Sequence, residues 1–556
     1  MSDDTASGPA ANPGGGQPME QALGHLRAGR FDEAKAICEK ILETDKEDVD
    51  ALYALGWIAF GKKDPKTALD HFRHVVRLKP GHARAHNNIG TVLMSMGDAA
   101  GAGRHLESAV AADPKFTEAF NNLGAVRLAQ NEPNAALTAF EKAAALAPGD
   151  AGTLNNLGTV KLRLGAVDEA IATYQKAVAA KPGFAEAYNN LANAFRRKGR
   201  LEDAVEALER GLASVPRSPE LLANLGVMHY ELGAYETALA DYDRALEALP
   251  GHRRSAYMRS FALLALGRLG EGWAAYLNRP NVIKVEAGLQ RQPLSSDLGG
   301  TTVVLRGEGS AYEDLEFLRY VPELVARGAG VRIGAGSRVA ALALAMDGID
   351  GAAPEGGGPG VLDVALGDLP YLLGVSTTGD LPPPARLMAD GPRTEAVAAR
   401  LRASGKAPYT GVTWQGAARG GPASVPVEEL AGALAGAGGT IVMLQRGAGS
   451  DVLSRIEQAA GLPVVDFSDM MEDMLGVLGL FALLGRYVCV PGVGLYLRQA
   501  AGRPADLLVP EPPDYRFAGG GAASPWFPDC RLHRAARGPD WAPALQSLSA
   551  ALASGA

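Results

Sequence analysis

The chain has 556 residues, too many for one compact core, and its 47% hydrophobic and 21% charged residues are the balance of an ordinary soluble protein. Sixty-two acidic side chains outweigh 54 lysines and arginines, and a net charge of −8 draws the molecule neither to phosphate backbones nor to anionic lipid, so neither nucleic acid nor a membrane is expected as a partner. Three cysteines, Cys38, Cys489 and Cys530, are too few and too scattered for a disulfide framework or a cysteine-rich metal site, which fits a reducing compartment.

Residues 1–14 are acidic and rich in Gly, Pro and Ala, without the basic flank and apolar run of a signal peptide, and are expected to be a disordered leader. The longest apolar stretch, 474–485, falls short of the roughly 20 residues that span a bilayer. A cytoplasmic location is the expectation.

From residue 15 the sequence repeats. Alanine returns every 34 residues at Ala34, Ala68, Ala102, Ala136, Ala170, Ala204 and Ala238, and proline follows twelve residues later from Pro80 to Pro250. Twelve residues before the alanines stand Gly56, Gly90, Gly124, Gly158 and Gly226, with Ala22 and Ala192 completing the set. Four residues after them come Cys38, Phe72, Leu106, Phe140, Tyr174, Leu208 and Tyr242. This is the tetratricopeptide pattern of two helices per repeat. Small residues let the helices approach, the large ones are expected to fill the gap between neighbouring repeats, and proline stops the second helix. Seven full repeats and a divergent eighth, in which Gly272 takes the alanine position, are expected over 15–280.

Within the array, Asn88, Asn122, Asn156, Asn190 and Asn224 form one file along the first helices, four of them beside a second asparagine. A carboxamide offers donors and an acceptor, so such a file can pair with the backbone of an extended peptide whatever its sequence. The same asparagines can instead bond helix to helix. The run resembles the asparagine ladder with which O-linked N-acetylglucosamine transferases hold acceptor polypeptides.

Beyond Pro280 the composition changes, and only Lys284 and Lys406 remain as lysines. A linker is expected at 281–299. Strands are predicted at 302–305, 330–333, 411–414, 440–444, 462–466, 487–490 and 505–509, with helices between most of them. The alternation reads as two Rossmann-like lobes, 300–385 and 408–556, joined by a connection at 386–407 and facing a cleft. His533, on an expected edge segment, reads as a solitary surface histidine.

The motifs "EGWAAYLNRP", "LEFLRYVPELVARGAGV", "DLPYLLGV", "GVTWQGA", "MLQRGAGSD" and "PPDYRFAGGGAASPWFPDCRLHR" resemble those of bacterial tetratricopeptide glycosyltransferases, a family that includes flagellin-modifying enzymes. The implied fold is an α-solenoid of tetratricopeptide repeats followed by an α/β two-lobed, Rossmann-like glycosyltransferase-like domain of the GT-B type. The implied activity moves a sugar from a nucleotide-sugar to Ser or Thr of a polypeptide acceptor, flagellin being one such acceptor. The nucleotide-sugar is a co-substrate, and no cofactor or metal is implied.

By the same resemblance Glu313 stands where the family has its Asp base, after a loop that has lost two glycines. Trp414 and Gln415 match a Trp-Ala-Gly turn, Gln445 and Arg446 a Gln-Lys pair, and Asp473 an Asp-Thr before the apolar helix. Where the family holds the nucleotide diphosphate with Asp-Thr-Ser and a His, this chain has Pro491, Gly492, Val493 and Tyr496. Gly492, Val493 and Gly494 can then offer only main-chain N–H groups at a helix start. A non-catalytic repeat scaffold with a degenerate transferase domain is the alternative reading.

Overall fold

The structure is a computed structural model that describes residues 16–280, 288–308, 311–337, 339–353, 360–418, 421–537 and 540–554. The expected leader, 1–14, and residues 281–287 of the expected linker lie outside the described residues. The chain divides into two compact units at Pro216 and Arg217.

The first unit is built of helix pairs, beginning with Gln17–Arg27 and Phe31–Thr44 and ending with Ala185–Arg197 and Leu201–Ser214. The period explains each pair. Ala34, Ala68, Ala102, Ala136, Ala170 and Ala204 are all fully buried, where a larger side chain would wedge the helices apart. A Cβ added to Gly90 would lie 2.6 Å from Leu106, and one added to Gly124 2.7 Å from Phe140. The large residue thus sits on the glycine of its own repeat. It is also part of the packing toward the next repeat, Phe140 sharing a core cluster with Leu157 and Val160, and Phe72 one with Ile89 and Val92. Burying each such side chain contributes about 1.5–3 kcal/mol.

Two backbone positions punctuate the pair. Between its helices the chain turns through a left-handed residue, Gly29, Gly97, Gly165 and Gly199, with Lys63 and Asn131 taking the same place at φ 61° and 62°. After the second helix, the residue before each proline leaves helical space, as Lys79 does at φ −133° and ψ 84°.

The second unit opens with two further pairs, Pro219–Glu231 with Tyr235–Ala248 and Arg253–Ala265 with Leu269–Tyr276. Residues 288–299 then lie against the first lobe, with Leu294 N–H donating to Leu372 O and Leu298 N–H to Arg327 O. Strands β1 (Thr302–Arg306), β2 (Gly330–Gly334), β3 (Ala352–Ala353) and β4 (Val361–Ala365) form a parallel sheet in the order β3-β2-β1-β4.

In the second lobe β5 (Tyr409–Thr413) is followed by an antiparallel hairpin, β6 (Gln415–Ala418) and β7 (Gly421–Ser424). Then come β8 (Thr440–Met443), β9 (Val464–Asp466), β10 (Arg486–Cys489), β11 (Asp506–Val509) and β12 (Arg531–Arg534). Their parallel sheet runs β12-β11-β10-β5-β8-β9. Ile441, Val442, Val488, Leu507 and Leu508 are fully buried, as strands covered on both faces require.

All seven predicted strands are present, whereas β3, β4 and the hairpin were not predicted. The apolar stretch from residue 474 forms the helix Met474–Leu483, largely buried in the core. Among the described residues no helix is long and apolar enough to cross a membrane. His533 corrects an expectation: β12 is an edge strand, yet the ring is only 3% exposed, wedged between Ser547 Oγ at 2.9 Å and Asp506 at 3.3 Å. The helix Ala542–Ala553 covers that edge.

Candidate functional site

In the second lobe the chain lays β5 centrally, adds β8 and β9 on one side, then returns to add β10, β11 and β12 on the other. The winding reverses between β5 and β10, and there the loops leaving the two strands part and open a crevice at their carboxyl ends. A cavity of about 630 Å³ occupies that crevice.

Six predicted residues line it: Gln415 after β5, Gln445 and Arg446 after β8, and Gly492, Val493 and Gly494 after β10. Gln445 Oε1 accepts the N–H groups of Trp414 at 3.2 Å and Gln415 at 2.9 Å, which sets the loop after β5 and turns the amide NH2 away from it. The helix Val493–Ala500 starts at the wall with no side-chain cap on its first N–H groups, the Leu495 N–H turning back to Gly492 O at 3.1 Å. A Cβ on Gly494 would collide with the Tyr487 hydroxyl, which is itself 2.8 Å from Thr413 Oγ1. A Cβ on Gly416 would strike Pro491 O. Both glycines are therefore needed for close approach. Gly492, extended at φ 177°, is not. Burial keeps the Tyr487 phenol far above its ordinary value, hence neutral.

Arg446 is the cationic side chain in the described lining. It donates to Met471 O at 2.8 Å and lies 3.8 Å from Glu472 on the facing turn. Sequence reasoning missed Thr413, which lies inside the "GVTWQGA" motif but was not singled out, and Met471, Glu472 and Tyr487, which no quoted motif contains; the strand order brings them together.

Three predicted residues fall outside the lining. Trp414, 3% exposed, is core. Asp473 stands at the N-cap of Met474–Leu483 without a side-chain cap bond, is not part of the described lining, and pairs with Arg393 at 3.2 Å. Glu313 is half-buried on the first-lobe helix Ala311–Phe317. Beside it Asp314 is 1% exposed, its Oδ1 accepting Glu308 N–H at 3.1 Å and its Oδ2 without a partner among the described residues. Burial pushes this carboxyl up to about 7. Nearby Arg279 is held by Glu308 at 2.7 Å and Asp368 at 2.6 Å.

The expected cleft between the lobes is a closed seam. Glu316 of the first lobe accepts from Arg516 Nε at 2.8 Å, with both side chains 1% exposed, and lies 3.3 Å from the Tyr496 hydroxyl of the second lobe. Arg319 donates to Trp526 O at 2.8 Å, and the cavity left along the seam is about 10 Å³. Side chains as large as tyrosine and arginine fill this space; besides the crevice in the second lobe, a cavity of about 500 Å³ lies on the first lobe, lined by Tyr320, Arg327 and Asp380 among others.

In the repeats the asparagine file is partly tied inward. Asn88 donates to Tyr53 Oη at 2.9 Å, Asn122 to Asn87 Oδ1 at 2.9 Å, and Asn190 to Asn155 Oδ1 at 2.9 Å. The buried Asn87 and Asn155 in turn donate to Glu118 and Glu186 of the next repeat. Asn156 is half-buried with no such bond, and Asn224 is half-buried on Pro219–Glu231 in the second unit.

Residues 19–83, 87–151, 126–185, 155–219, 189–253 and 224–279 match the family profile "Tetratricopeptide repeat". A probable biofilm formation methyltransferase, WspC of Pseudomonas aeruginosa, is 31% identical over 99 residues, 16% of this chain and 24% of that protein. The chain thus spans about a quarter or less of the curated relatives it matches. Among solved structures, MamA is 28% identical with a TM-score of 0.29 over 30% of this chain and 92% of its own. Pseudomonas aeruginosa PilF is 23% identical with a TM-score of 0.34 over 37% and 93%. Residues 19–279 of this chain are a tetratricopeptide repeat array.

Proposed function

We propose that the repeats hold an extended polypeptide while the second α/β lobe binds a nucleotide-sugar, whose sugar passes to a Ser or Thr hydroxyl of that polypeptide. The acceptor oxygen bonds the anomeric carbon as the bond to phosphate breaks, the nucleotide leaves with the bonding electron pair, and the hydroxyl proton passes to water. On this reading the lobes are of the GT-B type, the protein is cytoplasmic, and flagellin is the acceptor that the motifs suggest.

The observation that carries the reading is the crevice at the winding reversal of the second sheet, with Arg446, Gln445 and the start of Val493–Ala500 around it. An anion there meets one guanidinium and oriented N–H groups, and Met471, Met474 and Leu497 supply apolar wall for a base. The asparagine file supports the polypeptide half of the reading, with Asn156 the member whose amide is committed to no described neighbour.

A second reading, a scaffold that captures polypeptides without transfer, is favoured by a separate observation: Glu313, the residue in the base position, does not line the cavity. Calorimetric titration with UDP, GDP, CMP and ADP derivatives separates the two. One nucleotide is expected to bind, and Arg446→Ala to weaken it about tenfold, or about 1.4 kcal/mol. Silence from every nucleotide at millimolar concentration overturns donor binding and leaves the scaffold.

A further inference from the structure

The guanidinium that a phosphate would have to claim is already engaged. Arg446 reaches from the end of β8 to the turn before the helix Met474–Leu483, donating to Met471 O and facing Glu472, so one cation and one anion stand together in the described lining. Both side chains are largely exposed, at 58% and 81%, and pairs of this kind contribute little to stability. Glu472 therefore earns its position neither as core nor as a strong ion pair.

We infer that Glu472 is a specificity-determining residue that rejects nucleotides by charge, an inference that rests on nucleotide binding at this cavity. A nucleotide-sugar carries about two negative charges on its diphosphate, whereas a nucleoside triphosphate carries about four at neutral pH. Any pocket that recognises a nucleoside must discriminate against the triphosphate of the same base. Arg446 attracts both ligands, and Glu472 repels each in proportion to its charge. The more highly charged ligand loses more, and the carboxylate converts a charge difference into selectivity.

The magnitude follows from Coulomb's law. One ligand charge about 7 Å from the carboxylate in water changes affinity about twofold at low ionic strength, and less as salt screens it. Removing the charge of Glu472 should then tighten a nucleotide-sugar about fourfold and the matching triphosphate about sixteenfold. Loss of a merely structural contact would raise neither affinity and would not scale with ligand charge.

The test is calorimetry of the full chain and of Glu472→Gln with a nucleotide-sugar and the triphosphate of its base, at about 20 mM and 500 mM salt. A gain that is larger for the triphosphate, and that shrinks at high salt, supports the inference. Unchanged affinities, or equal shifts of both ligands in a protein that binds the nucleotide-sugar, overturn it while leaving donor binding intact. If neither the parent nor Glu472→Gln binds any nucleotide although circular dichroism shows both folded, donor binding itself fails, and the inference with it.

Discussion

In the repeats, the ring that covers a glycine comes from the next helix of the same pair, Phe140 over Gly124 and Tyr174 over Gly158. In the α/β half, Glu316 meets Arg516 across 200 residues and Arg319 reaches Trp526 across 207. The first kind of contact closes short loops and can form pair by pair, each helix hairpin finding most of its partners next door. The second kind needs both lobes and the segment after β11 in place together, so damage there spreads.

Glu316→Ala should therefore give the largest effect. It removes one anionic partner of the buried Arg516 and leaves Asp514, at 2.8 Å, among its described contacts, for a loss of about 3–5 kcal/mol. The check is urea unfolding followed by the fluorescence of Trp273 and Trp526, which pack together beside this cluster. Hydrogen exchange in Ala83–Arg197 should stay unchanged, and a uniform loosening would break the contrast.

Titration of Asp314 comes next. Its carboxyl takes a proton near pH 7 when folded and near 4 when unfolded, so the folded state binds more protons between those values. Stability of the α/β half should fall as pH rises through that window and be lowest above pH 7. Asp314→Asn should remove most of a slope on the order of 3 kcal/mol, read from urea midpoints at pH 5 and pH 8. An unaltered pH dependence would show that the carboxyl ionises freely.

A local insult to the repeats should cost less. Gly124→Leu drives a side chain into the Phe140 ring, 2.7 Å from the added Cβ, and should destabilise the array by about 1–3 kcal/mol. Exchange protection should drop in Thr117–Ala129 and Pro133–Leu146 before it drops in distant pairs.

The smallest pair of effects separates the two asparagine columns. Asn155→Ala deletes a buried donor and acceptor shared with Glu186 and Asn190, costing about 1–3 kcal/mol. Asn156→Ala should change stability by less than about 0.5 kcal/mol and, if the groove holds polypeptide, weaken capture of an extended acceptor peptide in fluorescence anisotropy. Equal stability losses at both positions would make the file wholly structural.

How much of this could be read beforehand follows the same division. Ala34 to Ala238, the glycines twelve residues earlier and the prolines twelve later announce the helix pairs because each statement is made many times over. The left-handed turn at Gly29, Lys63, Gly97 and Asn131 was equally periodic, though residue type alone hides it at Lys63 and Asn131. In the α/β half the strands were legible as apolar runs, and Gln415, Gln445, Arg446 and Gly492–Gly494 were singled out from separate motifs. That they share one cavity was not legible, since it depends on β10 returning beside β5. The closed seam was hidden as well: nothing adjacent in sequence tells Glu316 that Arg516 will reach it. His533 failed for a related reason, because an edge strand can still be roofed by a helix from the chain's end.

The described walls of the crevice come from residues between 413 and 497. A small-molecule preference of this crevice would be set by this short stretch of gene, while the repeats proposed to hold a polypeptide are written elsewhere. On the proposed reading, mutation can therefore retune one preference without disturbing its counterpart, and lineages can trade acceptors while keeping an inherited donor.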